Sequence, residues 1–368
     1  MLYKEYGKTK LKVSVLGMGT LRFPKTNGRA DEDLFVRILN HAFELGINYI
    51  DTAAMIHYGS EAVVGKAVKG MRDKVFVATK NHYRGDLVRE WEKLLYRSLK
   101  SLGTEYIDFY HLHALKWNDY CKHILPSGIM ESCRRAKDEG IIRHLCFSTH
   151  DTPDNIKRLI NTGEFEGLLV QYNLLDRANE EVIELAHAKK MGVAVMGPVG
   201  GGILVAPSEK IMPLIPGARS TPEIALRFVL SNPHVTLALS GMTSMEMLEE
   251  NARTAGEGKP LTEREKETLL KKLGKINELA DLNCTGCRYC LPCASRVDIP
   301  GNFEAMNYYK VWGLEKYAKE VYKKKGKNLS RKWAEACIAC GQCEAKCPQG
   351  IPIRRQLKEV VRILGKNQ

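Results

Sequence analysis

Between residue 10 and about residue 250 the chain alternates short apolar runs with longer stretches whose apolar positions recur every three to four residues. The runs are "VSVLGMG" (13–19), "INYIDTA" (47–53), "KVFVATK" (74–80), "IDFYHLH" (107–113), "HLCFSTH" (144–150), "GLLVQYN" (167–173), "GVAVMGP" (192–198) and "VTLALSG" (235–241). Apolar runs without strict alternation, each followed by a helix, predict parallel strands covered on both faces. The intervals have the period of amphipathic helices. In "DEDLFVRILNHAFELG" Leu34, Ile38, Ala42 and Leu45 share a face, and Gly46 offers a C-terminal stop. In "DTPDNIKRLINTG" Thr152 is placed to cap, Pro153 fits the first helical position, and Gly163 ends the helix.

Eight strand–helix units over about 240 residues have the size and count of a (β/α)8 TIM barrel. The rival, an open doubly wound sheet, would carry a glycine fingerprint after its first strand. The segment "GMGTLRF" lacks the third glycine, and Pro24 follows where a helix should open. Over 254–283 the texture turns charged and helical. The predicted division is therefore a barrel over 1–275 and a small, mainly helical domain over 276–368.

Composition adds limits. No apolar run reaches the roughly 18 residues that would cross a membrane, and the first residues show no apolar export core. A cytoplasmic location is expected, without membrane association. Of eleven cysteines, eight lie in the last quarter; Cys121, Cys133 and Cys146 sit in apolar or helical context and read as packing residues. The net charge is +13 and uneven: from Asp281 onward, seventeen Lys/Arg face eight Asp/Glu, a surplus of nine. A basic surface attracts nucleic acid, an acidic protein or an anionic substrate. Thiolate-bound iron–sulfur clusters, each of formal charge about −2, would absorb roughly four of those positives, so nucleic-acid binding is not expected.

The last quarter carries that cluster chemistry. The run "CIACGQCEAKCPQG" places Cys337, Cys340, Cys343 and Cys347 before Pro348, the C-x2-C-x2-C-x3-C-P spacing of a bacterial [4Fe–4S] ferredoxin. About fifty residues earlier, "CTGCRYCLPC" places Cys284, Cys287, Cys290 and Cys293 two residues apart. In two-cluster ferredoxins the fourth cysteine of each run serves the other cluster. That rule assigns Cys284, Cys287 and Cys290 with Cys347 to one cluster, and Cys337, Cys340 and Cys343 with Cys293 to the second. The gap before Cys293 departs from the pattern, and Ala294 stands in place of the proline. Zinc is the alternative, but zinc sites usually pair two C-x2-C units across a longer gap.

In a barrel the active site lies at the carboxyl ends of the strands. Asp51, Lys80 and His113 fall at the predicted ends of the second, third and fourth strands and converge on one mouth. The segments "DTAAMIHYGSEAVVGKAV", "VFVATK", "IDFYHLH", "IIRHLCFSTH", "LLVQYNLLDR" and "LEEN" resemble, in order, those of the aldo-keto reductase family. The opening "YGKTKLKVSVLGMGTLRFP" resembles its N-terminal hairpin and first strand. The resemblance spans roughly residues 1–255. With the cysteine module, the chain resembles the subgroup that carries a C-terminal two-[4Fe–4S] ferredoxin-type domain.

This resemblance implies reduction of a small-molecule carbonyl, or oxidation of the alcohol, with NADPH or NADH. Hydride goes to the carbonyl carbon while a tyrosine protonates the oxygen. It assigns catalysis to Asp51, Tyr58, Lys80 and His113. A tyrosine hydroxyl titrates near 10, and a neighbouring ammonium brings that value down. The family's usual tyrosine position is Ile56 here, which leaves Tyr58 or the adjacent His57 as the acid. The resemblance further implies cofactor contacts from Thr20, Ser148, Gln171, Glu250 and Asn251. Thr149 stands where the family has asparagine, and Gly241 and Met247 where it has cations for the 2′-phosphate of NADPH. The glycine run "GPVGGG" falls where barrels often bind phosphate, and Trp117 and Tyr120 are candidate pocket walls. A hydride carries two electrons and a cluster one, so three readings stand. The first is an oxidoreductase whose clusters connect the barrel to an electron carrier, such as an acidic ferredoxin. The second is a nicotinamide-dependent reductase whose clusters are structural or sense redox state. The third is a non-catalytic electron-transfer or redox-regulatory protein with the barrel as scaffold.

Overall fold

The computed structural model of the chain describes residues 1–27, 29–54, 59–82, 88–174, 176–205, 211–273, 284–310, 315–325 and 332–365. Eight parallel strands close a barrel: β1 (Leu16–Gly19), β2 (Tyr49–Asp51), β3 (Phe76–Asn81), β4 (Ile107–Leu112), β5 (Ile142–Ser148), β6 (Gly167–Gln171), β7 (Gly192–Met196) and β8 (Leu237–Ser240), with β8 beside β1. Each of the eight apolar runs overlaps one barrel strand. The first run is split: Lys12–Ser14 pairs antiparallel with Tyr3–Glu5 in a hairpin, and only Leu16–Gly19 enters the barrel.

Helices alternate with the strands: α1 (Glu32–Glu44), α2 (Ser60–Val68), α3 (Val88–Leu102), α4 (Ile129–Asp138), α5 (Pro153–Asn161), α6 (Glu180–Ala188), α7 (Thr221–Leu230) and α8 (Met245–Glu257). In α1 the Asp31 carboxylate accepts from the Leu34 amide and caps the helix. Its buried face is Phe35, Ile38, Leu39 and Ala42, while Leu34 and Leu45 lie at its edge. Pro153 opens α5, but Thr152 makes no side-chain cap; the Asp151 carboxylate instead accepts from the Thr152 amide and the Asn155 side chain.

Tyr6, Tyr49, Ala78, Phe109, Cys146, Leu169, Ala194, Leu237 and Leu239 form one buried cluster inside the barrel. Their strand positions set the parity of the inward face, because successive side chains on a strand alternate sides. Tyr6, from the hairpin turn, plugs the amino end of the barrel, its ring 4.3 Å from that of Phe109. Gly167 and Gly192 are glycine for this reason, since a methyl group at either position would overlap the Tyr6 ring. Cys133 and Cys146 are buried, as packing cysteines are, and burial raises both thiols.

The chain divides into two compact units: Met1–Tyr172 with Arg177–Pro198 and Leu226–Pro260, and Asn173–Asp176 with Val199–Ala225 and Leu261–Gln368. The expected boundary at 275/276 lies outside the described residues. The second unit contains α9 (Glu263–Leu273), α10 (Ile299–Lys310), α11 (Glu315–Lys325), the single turn α12 (Gln342–Ala345) and α13 (Ile353–Leu364). Phe303, Met306, Ala318, Tyr322, Leu357 and Val360 centre its core, and six of the eight clustered cysteines pack against or within it. A parallel bridge between Val297 and Lys332, and the Asn302 side chain accepting from the Ala334 amide at 2.9 Å, hold the two cysteine runs together. Among the described residues no helix is long and apolar enough to cross a membrane.

Candidate active site and cluster-binding thiols

The inward parity of the strands, carried to their carboxyl ends, selects Asp51 on β2, Lys80 on β3, His113 just past β4, Ser148 on β5 and Gln171 on β6. Asp51 and Lys80 are 7% and 6% exposed. The Lys80 ammonium donates to the Asp51 carboxylate and, at 2.7 Å, to the Thr52 carbonyl. Burial raises the Asp51 carboxyl, and Lys80 opposes that rise. A buried charge persists where a partner and hydrogen bonds replace water, as this pair does. Thr20 secures the aspartate's backbone: its amide and hydroxyl both donate to the Asp51 carbonyl, at 3.0 and 3.1 Å. Its hydroxyl is thereby committed to the strand end.

The His113 amide donates to the Asn81 carbonyl at 3.1 Å, fixing its place beside β3. Burial, then the neighbouring His82 and Lys80, hold its imidazole well below the ordinary value, so the ring is neutral near pH 7. A neutral imidazole still donates one N–H, the form that can polarise a carbonyl oxygen without competing for its charge. His82 stacks on it, ring centroids 4.4 Å apart. His111, one inward step below His113, is fully buried and pushed down to about 3, by burial and then by Lys80. His150 is pushed down to about 4, by burial and then Lys116.

The sequence reading passed over His82, His111 and His150. A signal was present: each lies two residues from Lys80, His113 or Ser148, and a spacing of two returns a strand to the same face. Tyr58, its alternative His57, and Ile56 lie outside the described residues. The flanking positions are tied together, with the Thr52 and Ser60 hydroxyls 2.8 Å apart and the Thr79 hydroxyl donating to the buried Glu61 at 2.6 Å.

The Gln171 side-chain amide is buried and its Nε2 makes no hydrogen bond. Gly197 leaves it room, since a methyl group there would sit 2.8 Å from Oε1. A buried donor without an acceptor costs about 1–3 kcal/mol unless a ligand completes it, and a nicotinamide carboxamide oxygen has the right chemistry. Ser148 Oγ accepts from the Ala114 amide at 3.0 Å. Thr149 donates to the Leu115 carbonyl and accepts from the Asp151 amide, so it serves the loop. Asn251 donates to Ser240 Oγ at 3.2 Å at the end of β8, and the Glu250 carbonyl accepts from Thr254. At Gly241 a methyl group would meet the Arg22 stem at 3.9 Å, a nearby cation that motif comparison did not indicate. Tyr120 is buried against Phe165 as packing, while Trp117 is half-buried with the Arg158 guanidinium over its ring.

In the second unit the thiols fall into two sets. Burial and then the nearby sulfurs of Cys284, Cys287 and Cys347 push Cys290 up to about 12; Cys284 is likewise pushed up to about 12, by burial, with Cys287 and Cys347 adding to it. Cys293, Cys337, Cys340 and Cys343 line one small cavity with Cys290, Ile338 and Leu357. Cys290 belongs to both neighbourhoods. Backbone amides point at the sulfurs two residues back: Gly286 at Cys284, Tyr289 at Cys287, and Ala339 at Cys337, the last at 3.4 Å. Mutually repelling thiols that receive N–H donors are suited to a cationic cluster.

The glycine run after β7 takes a different place from the one expected. Gly200, Gly201 and Gly202 all have left-handed φ. The position of a Gly201 Cβ is filled by the Thr285 backbone, with atoms at 2.6 and 2.7 Å. The run supports the first cysteine loop.

The barrel and the cysteine-rich module both have known relatives. The aldo/keto reductase family model matches residues 15–272, and a 4Fe-4S dicluster domain matches residues 283–352. The chain belongs to the aldo/keto reductase family and carries a 4Fe-4S dicluster domain; it is an oxidoreductase. It is similar to aldo-keto reductase AKR11C1 of Bacillus halodurans in its holo form, at 30% identity and a TM-score of 0.65, covering 74% of this chain and 96% of that one. Oxidoreductase YqkF of Bacillus subtilis is 28% identical over 300 residues, 72% of this chain and 94% of its own. The NADH-specific methylglyoxal reductase of Escherichia coli is 28% identical over 299 residues, 67% and 90% of the two chains.

Proposed function

We propose that the barrel, residues 1–275, interconverts a small carbonyl compound and its alcohol with a nicotinamide cofactor, and that residues 276–368 hold two [4Fe–4S] clusters that exchange electrons with a partner protein in the cytoplasm. The observation that carries the first part is the buried Asp51–Lys80 pair beside a neutral His113 at the strand ends. A bound nicotinamide supplies the hydride. Tyr58 donates its proton to the carbonyl oxygen, and Lys80 stabilises the phenolate left behind, since a nearby cation favours the charged form. Asp51 holds Lys80 in place. His113 donates a hydrogen bond to the oxygen as it gains charge. Gln171 Nε2 and Ser148 orient the carboxamide, with Asn251 and Glu250 at the adenine end. The clusters supply one-electron transfer, held by Cys284, Cys287, Cys290 and Cys347 and by Cys293, Cys337, Cys340 and Cys343.

The decisive experiment is carbonyl reduction by Tyr58→Phe across a panel of small aldehydes and ketones. Loss of turnover by a factor of about 100 or more, with nicotinamide binding retained, is expected; undiminished turnover refutes the tyrosine role. Gly241 and Met247 offer no cation to a 2′-phosphate, so NADH should bind at least as tightly as NADPH. Tighter NADPH binding that disappears in Arg22→Ala would give the phosphate to Arg22.

A further inference from the structure

The two thiol sets differ in their access to solvent at one member each, the other six cysteines being half-buried. In the first set Cys290 is 9% exposed, and the loop between Cys284 and Cys287 lies under the Gly201 backbone. In the second, Cys340 is exposed, and Ile338 beside it is 68% exposed, the most exposed of the large apolar side chains among the described residues. An isolated exposed isoleucine is unremarkable. This one adjoins a thiol that reaches the surface, with Ala339, Gly341 and Gln342 completing a side-chain-poor rim. Lys346 and Arg354 line the same cavity, and Arg355, Lys358 and Arg362 are exposed along α13. Glu344 pairs with Arg354 at 2.8 Å and Glu359 with Arg362 at 3.6 Å, so two of these cations have carboxylate partners. After two clusters, the basic surplus of nine from Asp281 onward still leaves about five positive charges.

We infer that the face around Ile338–Gly341 is the docking surface for a small acidic protein carrying a one-electron centre. This rests on the cluster assignment proposed above and adds where the partner binds and what its surface must be. Electron exchange falls steeply with distance, so the partner's centre must approach the set that reaches solvent. A small apolar contact ringed by charge suits a weak, rapidly exchanging redox encounter, in which opposite charge speeds association. In the exchange one electron would leave the reduced carrier for a cluster that Cys293, Cys337, Cys340 and Cys343 would hold, with no bond made or broken. Cys290 lines that cavity while also lying among the sulfurs of the first set, so the two sets are neighbours within the unit.

The test uses the full chain, reconstituted anaerobically, and an acidic [2Fe–2S] ferredoxin as probe. Its dissociation constant is measured at low and moderate salt, beside the rate of cluster reduction by the ferredoxin and by dithionite-reduced methyl viologen. Ile338→Glu and Lys346→Glu should each weaken ferredoxin binding at least tenfold and slow its electron delivery to match. Methyl viologen, which needs no docking face, should reduce both variants like the parent, with the cluster electron paramagnetic resonance signals unchanged. Parent binding should weaken as salt rises. If either variant loses its cluster signal, Gln342→Glu, isosteric and exposed on the same rim, carries the measurement. Unchanged affinity in variants with intact clusters, or a parent reduced by viologen but not by ferredoxin, overturns the inference. Tyr58→Phe should bind ferredoxin like the parent. Carrier binding without any carbonyl turnover would therefore refute the reaction proposed for the barrel and leave this surface standing.

Discussion

At the scale of single residues, the mouth of the barrel is an exercise in keeping one charge pair and excluding others. Lys80 and Asp51 pair out of water, the lysine donating to the carboxylate and to the Thr52 carbonyl. Lys80→Met would leave Asp51 buried without its partner, and carbonyl reduction is expected to fall by about 100-fold or more while nicotinamide affinity changes far less; steady-state kinetics with a binding titration check both. His111 and His150 are held neutral by burial, with folded values of about 3 and 4 against 6.5 when free. Their contribution to stability is complete above pH 6.5. It is lost as pH falls toward those folded values, because the unfolded chain takes up protons that the native one refuses. Each can contribute a slope approaching about 1.4 kcal/mol per pH unit. Urea unfolding followed by circular dichroism at pH 7, 6 and 5 should show the fall, and His150→Gln should flatten it by about one proton.

At the scale of elements, glycines mark where backbone meets backbone. Gly65 in α2 faces Leu102 at the end of α3, where a methyl group would lie 2.5 Å from the carbonyl oxygen. Neither backbone can yield cheaply, so Gly65→Ala should destabilise by roughly 2–3 kcal/mol despite the better helix propensity of alanine, read as a lower melting temperature. Gly201 joins a left-handed φ of 65° to contact with the Thr285 backbone. Gly201→Val is expected to alter the electron paramagnetic resonance signal of the cluster on Cys284, Cys287, Cys290 and Cys347, and to leave that of the second set unchanged. The same glycines read as a phosphate loop in sequence, since a run of glycines states that backbone approaches something without saying what.

For the whole molecule, the second unit joins an apolar core to two groups of cysteines, with Cys284 and Cys290 raised by burial and then by neighbouring sulfurs. Ligation and folding should be coupled there. Iron and sulfide analysis of anaerobically purified protein should find about eight of each per chain, and Cys347→Ala should retain about four. Iron removal by a chelator should lower the melting of this unit more than that of the barrel. Two resolved calorimetric transitions would show it, and a barrel transition that shifts equally would contradict the independence.

The sequence determined by itself what repeats and what is local. Eight buried apolar runs made the barrel legible because parallel strands covered on both faces leave no other composition. Cysteine spacing made the cluster module legible because a cubane is gripped by closely spaced thiolates. Asp51, Lys80 and His113 were readable as strand ends. Side-chain neighbours across strands were not readable, because strand register decides them. Only the closed barrel stacks His82 on His113 and sets Gln171 Nε2 in a buried place without an acceptor. Likewise only the tertiary structure buried Tyr120, committed Thr149 to its own loop and laid the glycine run on Thr285. It also buried Cys290 and exposed Cys340. Burial depends on what residues distant in sequence cover, and no local pattern records that.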